Sequence, residues 1–197
     1  MTNFIDDEEG SETVRYFNGY MQLAFAFALL LLVSALSGCA SISTTPPVTV
    51  DADKKWALLP FSNLSRTPKI EGQLAELVQT ALRSRGVSRI DVFQEDGKGG
   101  LRSLFDDSAQ FRVAAKWAQD RDQDYTLSGS IHEWQYRSGT EREPTVGLTL
   151  KLIDVRSRQV IWQGNASKTG TGFIKLSSIA NELVNDLLDQ ISIVTIN

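Results

Sequence analysis

The sequence predicts an α/β fold of the mixed α+β kind, in the order β-α-β-α-β-β-β-α, with helices packed against a mixed sheet, and three patterns carry that prediction. Leu74, Leu77, Val78, Ala81 and Leu82 recur at the spacing of one helix face across Glu71–Arg85. Leu148, Leu150 and Leu152 alternate with Thr149, Lys151 and Ile153, the period of a strand with one strongly apolar face. Ile179, Leu183, Leu187 and Ile191 return to helical spacing near the C-terminus.

Taken in order, Lys55–Phe61 (KWALLPF) is a short apolar run of the buried-strand type, closed by Pro60 and the polar loop Ser62–Pro68. The helix over Glu71–Arg85 comes next, with Gly86 placed to cap its C-terminus. Arg89–Phe93 reads as a second strand, and Gly97, Gly99 and Gly100 mark a loop. A second helix is expected from about Ser108 to Asp120, with Phe111, Ala114, Ala115 and Ala118 on one side. Three strands are then expected at Tyr125–Tyr136, Pro144–Val155 and Gln159–Lys168, joined by polar connections at Ser138–Glu143 and Asp154–Gln159 as an antiparallel meander. A helix over Leu176–Gln190 closes the chain.

Ahead of this body the chain has a different character. Met21–Cys39 holds an apolar run, Leu23–Val33, that is shorter than the roughly 20 residues a spanning helix needs, followed by Ser34, Ser37 and Gly38 rather than a basic flank. That is the layout of a cleavable signal peptide. Leu36-Ser37-Gly38-Cys39 resembles the lipobox of bacterial lipoproteins, which implies diacylglycerol on the Cys39 thiol and an N-acyl chain after cleavage. Cys39 is the single cysteine, and acylation gives an otherwise unpaired thiol of an exported protein a purpose. The acidic stretch before Met21 is unlike a signal's leading segment, so Met21 is an alternative start. Residues 1–38 are therefore assigned to an N-terminal extension and signal, 39–54 to a lipidated tether, and 55–197 to one domain. The tether assignment rests on Ala40–Asp53, which carries Ser, Thr and Pro46-Pro47 without helical periodicity.

Charge excludes some partners. The full chain has 20 Lys and Arg against 24 Asp and Glu, but residues 1–38 hold Arg15 and five of the acids, so residues 39–197 are formally neutral. No global field favours nucleic acid or anionic lipid, and any charge-driven role needs local clustering.

Catalytic patterns are sparse. His132 is the single histidine and stands in an alternating segment with no nucleophile-elbow motif. One histidine and an acylated cysteine make no zinc site, so neither a metal nor another cofactor is expected. Gly97–Gly100 and Gly170–Gly172 lack the order of a phosphate-binding loop and read as turns. Asp106 and Asp107 suit the start of a helix, and Asp120, Asp122 and Asp124 a solvated helix end. The chain is expected not to be an enzyme. Trp56 and Trp162 lie in apolar strand contexts, whereas Trp117 and Trp134 have mixed polar neighbours compatible with core packing or with an interface.

The lipobox, KWALLPF with Asn63 behind it, Arg83-Ser84-Arg85-Gly86-Val87, and the paired strand text HEWQYR and EPTVGLTLKLIDVRSRQVIW together resemble the PelC family, and the fold is similar to the N-terminal domain of TolB. The resemblance spans nearly all of the chain after Cys39. It implies a non-enzymatic lipoprotein on the periplasmic face of the outer membrane that forms a dodecameric homo-oligomeric ring under the porin PelB. It further implies an acidic face that draws the cationic Pel polysaccharide to the export pore, with outer-membrane lipid as the remaining partner and no nucleic acid. Asp120, Asp122, Asp124 and Glu133 are the candidates for that face, and Trp117, Trp134 and Tyr136 for contact with membrane or a neighbouring subunit. The competing reading is a monomeric envelope lipoprotein that regulates a periplasmic enzyme such as a peptidoglycan synthase.

Overall fold

The computed structural model describes residues 40–94, 107–137, 142–171 and 173–196. Cys39 and the signal segment, Gly97–Gly100, Asp106, Gly172 and most of the Ser138–Glu143 connection lie outside the described residues. The elements are β1 (Ala40–Thr44), β2 (Val48–Asp51), β3 (Trp56–Asn63), α1 (Glu71–Ser84), β4 (Ile90–Val92), α2 (Asp107–Asp120), β5 (Tyr125–Arg137), β6 (Glu143–Asp154), β7 (Gln159–Thr169), α3 (Leu176–Leu188) and β8 (Ile191–Val194).

Six strands form one mixed sheet in the order β1-β7-β6-β5-β3-β4, and β2 pairs with β8 in a small parallel sheet. β5, β6 and β7 make the expected antiparallel meander, while β5 is parallel to β3 and β3 to β4. On one face α1 and α3 pack over the sheet, burying Trp56, Leu58, Leu127, Leu150, Leu152 and Trp162 against Leu74, Leu82, Leu183 and Leu187. Each fully buried side chain of this size contributes on the order of 1.5–3 kcal/mol, which is how the described body holds together without disulfides. α2 covers part of the other face, where Ala114 and Ala118 sit on Leu59 beside Phe93 and Phe111.

The helix boundaries obey local chemistry. α1 ends in a paired cap, with Gly86 at φ +90°, its N–H donating to Arg83 O at 3.1 Å and the Val87 N–H to Leu82 O at 3.2 Å. Only glycine takes that φ without strain, and the buried Val87–Leu82 pair completes the motif. Arg85 then joins the two helices, donating to Asn185 Oδ1 at 3.0 Å and pairing with Asp189 at 2.5 Å.

Three expectations are corrected. Ala40–Asp53 is no free tether, because β1 runs along β7 and β2 along β8. Backbone pairing outweighed the loop-like composition, and Val48 and Val50 already alternate as a strand would. Ile191 does not extend the last helix; it opens β8, where it pairs with Val48. Finally, β3 runs through Pro60 to Asn63, since the missing N–H falls at a register shift between Leu58 and Phe61, beyond the last residue paired to β4.

Gly129 and Gly72 test the packing in opposite directions. A Cβ at Gly129 would lie 2.0 Å from the Thr149 carbonyl oxygen, whereas one at Gly72 meets nothing within 4 Å. Urea unfolding should show Gly129→Ala losing roughly 3 kcal/mol through overpacking. Gly72→Ala should gain about 0.5–1 kcal/mol by restricting the unfolded chain.

Candidate functional site

The sheet has two chemically different ends. β3, β5 and β7 run toward the end where β1 and β6 begin, so Ala40, the Leu64–Ile70 loop, Arg137, Glu143 and the turn after Thr169 gather there. Lys55, the Asp122–Tyr125 segment and the Asp154–Gln159 turn gather at the opposite end. The first is called the anchor end, because Ala40 comes directly after Cys39, and the second the aspartate end.

At the aspartate end an open cleft of about 570 Å³ is lined by Asp122, Asp124 and Asp154 together with Lys54, Arg156 and Arg158. The helix terminus that delivers the aspartates is bent by Asp122 at φ +51°, and Asp124 Oδ2 then accepts the Lys55 N–H at 3.0 Å. Asp120 pairs on the surface with Lys116 at 2.8 Å. Three acids meet three bases in the cleft, so a single copy does not present a purely acidic face there. Asp154 is held below the usual carboxylate range, first by the Ser157 backbone N–H, which it accepts at 2.6 Å, then by the Ser157 hydroxyl, and less by Arg156. Burial, reinforced by Asp154, Asp124 and Asp51, raises the Tyr125 phenol.

Glu133 does not join these aspartates. It lies nine residues along β5 from Asp124, roughly 30 Å at strand rise, near the anchor end, and pairs with Arg137 at 3.4 Å. Of the two readings open for Trp134, core packing or an interface, the structure shows the core. β5 carries an extra residue between Ile131 and Glu133 relative to β6, so the alternation reverses there and Trp134 turns into the core at 4% exposure. Its carbonyl accepts a hydrogen bond from the Thr67 hydroxyl, which ties down the preceding loop. Trp117 is half-buried, edge-on to Phe93 at 5.4 Å and under the Arg121 guanidinium at 5.1 Å. Tyr136 remains exposed at the anchor end, and Trp56 and Trp162 are core as expected.

His132 occupies the bulge, with Nε2 2.7 Å from Thr149 Oγ1 and 3.1 Å from Ser130 Oγ. Thr149 Oγ1 donates to Asn165 Oδ1 at 2.7 Å, so it accepts from an Nε2–H, and a nitrogen already carrying its proton cannot activate Ser130. Among the described residues no group of His, Cys, Asp or Glu is arranged to hold a metal ion. No described helix is long and apolar enough to cross a membrane.

Sequence reasoning passed over Phe173. It stands 98% exposed beside the half-exposed Ile174, in the turn between β7 and α3. Gly170 N–H donates to Pro144 O at 2.8 Å and Ile174 N–H to Thr171 O at 3.0 Å, which holds the turn at the anchor end. The available signal was an apolar pair directly behind Gly170-Thr171-Gly172, with no strand or helix period to bury it. By topology Arg66, Lys69, Arg137, Arg142, Lys168 and Lys175 belong to this end together with Glu71, Glu133, Glu143 and Glu182, and two of the bases are paired there, Arg137 with Glu133 and Lys168 with Glu182.

With this arrangement in view, the class is a mixed α/β domain whose first edge strand begins immediately behind a lipobox-like cysteine. Within that class the chain is PelC-like. It superposes on a PelC dodecamer subunit from Paraburkholderia phytofirmans with TM-score 0.67 and 26% identity, covering 79% of this chain and 100% of that one. A second PelC dodecamer structure from the same organism gives 0.65 and 25%, covering 77% and 96%. Lipoprotein GNA1162 from Neisseria meningitidis gives 0.47 and 21%, covering 73% and 97%. No protein-family model and no curated protein matches the sequence.

Asp186 offers a pH test of the helix layer. Burial, then Glu182, raise its carboxyl above the usual range, with Lys168 opposing and Asp189 adding a little. A raised acid contributes stability that is present below its unfolded pKa and lost as pH rises through the folded value. Asp186→Asn should therefore raise Tm at pH 7, and the difference should close as pH is lowered below the ordinary carboxylate range.

Proposed function

We propose that this chain is an outer-membrane lipoprotein, held by acyl chains on Cys39, whose copies assemble into a ring that guides a cationic polysaccharide to an outer-membrane pore. The observation that carries the reading is the PelC-like fold across 100% of a chain solved as a dodecamer. The two ends of the sheet fit it. Phe173 and Ile174 stand exposed in the turn at the end where β1 begins, where they meet the lipid headgroups and upper acyl region. Asp120, Asp122 and Asp124 lie at the other end, facing the periplasm.

Because the cleft of one copy is balanced in charge, repetition alone adds no net charge, and steering comes from subunit orientation. A ring that turns Asp122 and Asp124 toward one opening and Lys54, Arg156 and Arg158 toward the subunit contacts presents a polycation with many carboxylates at once. The pore partner is a porin of the PelB type. No residue takes part in bond making; the chain positions polymer and pore.

Light scattering on the purified chain from Ser41 onward, and on the lipidated chain in bilayers, tests the assembly. A mass many times that of one copy is expected, and a strict monomer in both settings overturns the ring and favours a monomeric regulator of a periplasmic enzyme. Cys39→Ser should remove membrane attachment and polymer export together while circular dichroism is unchanged. Phe173→Asp should keep the anchor but weaken vesicle binding of the unlipidated chain by tenfold or more. Asp120→Asn, Asp122→Asn and Asp124→Asn combined should lower export while the assembly persists.

A further inference from the structure

The residues directly behind Cys39 carry an inference that rests on the lipoprotein reading and goes beyond it. β1 pairs with β7 from its first residue, Ala40 opposite Lys168, through Thr44 opposite Gly164. Thr45 extends the ladder: its N–H donates to Gln163 O at 2.9 Å, and its hydroxyl oxygen accepts the Gln163 N–H at 3.0 Å. After Pro46-Pro47 the chain pairs again as β2 along β8, and the Ala52 N–H donates to Val194 O at 2.8 Å. Apart from the two prolines, the segment between the acylated residue and the core has a partner along almost all of its length.

The mechanical consequence is large. Fully extended, residues 40–52 would let the domain stand about 45 Å from its anchor. Docked on β7 and β8, they leave a single Cα–Cα step of about 3.8 Å between Cys39 and the sheet. Phe173 projects from the same end, so the domain touches the bilayer at two places on one end rather than hanging from a point.

We propose that β1 is a strap that holds the domain flush against the leaflet carrying its anchor, with the strands standing away from the membrane and the aspartate end outermost. The partner such a strap fits is one embedded in, or assembled on, that same bilayer. A partner anchored across the periplasm would need the reach that the pairing removes. The strap also explains how many copies could keep one height and one tilt around a pore.

Alternation along an antiparallel ladder makes the test specific. Because the Thr45 N–H faces β7, the Ser43 and Ser41 N–H groups face it too, while those of Ile42 and Thr44 point outward. Hydrogen exchange on the lipidated chain in phosphatidylethanolamine–phosphatidylglycerol vesicles should show Ser41 and Ser43 amides protected at least a hundredfold over an unstructured peptide. Exchange at the unstructured rate overturns the strap whatever the protein's function. In cells, a dozen Gly-Ser residues inserted between Cys39 and Ala40 should leave membrane attachment and fold intact but lower polymer export at least tenfold. Export equal to that of the unaltered chain overturns the proposal. A mature chain whose mass shows no acyl chains on Cys39 overturns the lipoprotein reading instead, so the two failures are distinguishable.

Discussion

The backbone ladder of β5 is the constraint on which the rest of the molecule depends. β5 pairs in parallel with β3 and antiparallel with β6, so it joins the α/β half of the sheet to the meander. The extra residue at His132 reverses its alternation part-way along. Before it, Leu127 and Ile131 face the helices; after it, Trp134 does. A one-residue change in register would put each of these on the opposite face, and the bulge is what lets one long strand supply the core along its whole length. His132, left on the outer face, is held by Thr149 and Ser130 in a hydrogen-bonded row that ends at Asn165.

From that ladder the two ends of the molecule acquire their meaning. Strand direction sends Tyr136, Arg137 and the Phe173 turn to the end where β1 begins, and brings Asp122, Asp124 and Asp154 together at the other. One end thus carries exposed apolar residues and the other a polar cleft. The separation needs no unusual chemistry. It arises from four of the sheet's strands, β3, β4, β5 and β7, sharing a direction and from β1 and β6 opposing them.

His132 and Asp154 are both committed to local contacts. The chain's one histidine spends its Nε2–H on Thr149, and the cleft at the aspartate end also holds three cations. Asp154 is committed to the Ser157 amide, which closes the β6–β7 turn, so its lowered pKa has a local structural cause.

Most of the fold was legible because periodicity is local. The face of Leu74, Val78 and Leu82, the alternation of Leu148, Leu150 and Leu152, and Gly86 as a cap each depend on a few neighbouring residues and on helix or strand geometry. β1 was illegible for the opposite reason, and β2 carried only the short alternation of Val48 and Val50. Ser, Ile, Thr and two prolines give no sustained strand period until β7 and β8 present free backbone groups from far along the chain. The burial of Trp134 and the separation of Glu133 from Asp124 depended on a bulge that no single-strand pattern announces. Phe173 was missed because an isolated exposed aromatic has no period. By itself the sequence determined the types of the eight elements with sustained periodicity, most of their core faces and the lipobox-like setting of the one cysteine, all consequences of local spacing. Only the tertiary structure decided that the supposed tether is part of the sheet and at which end of that sheet the chain enters behind Cys39, because both are settled by hydrogen bonds between residues more than a hundred positions apart.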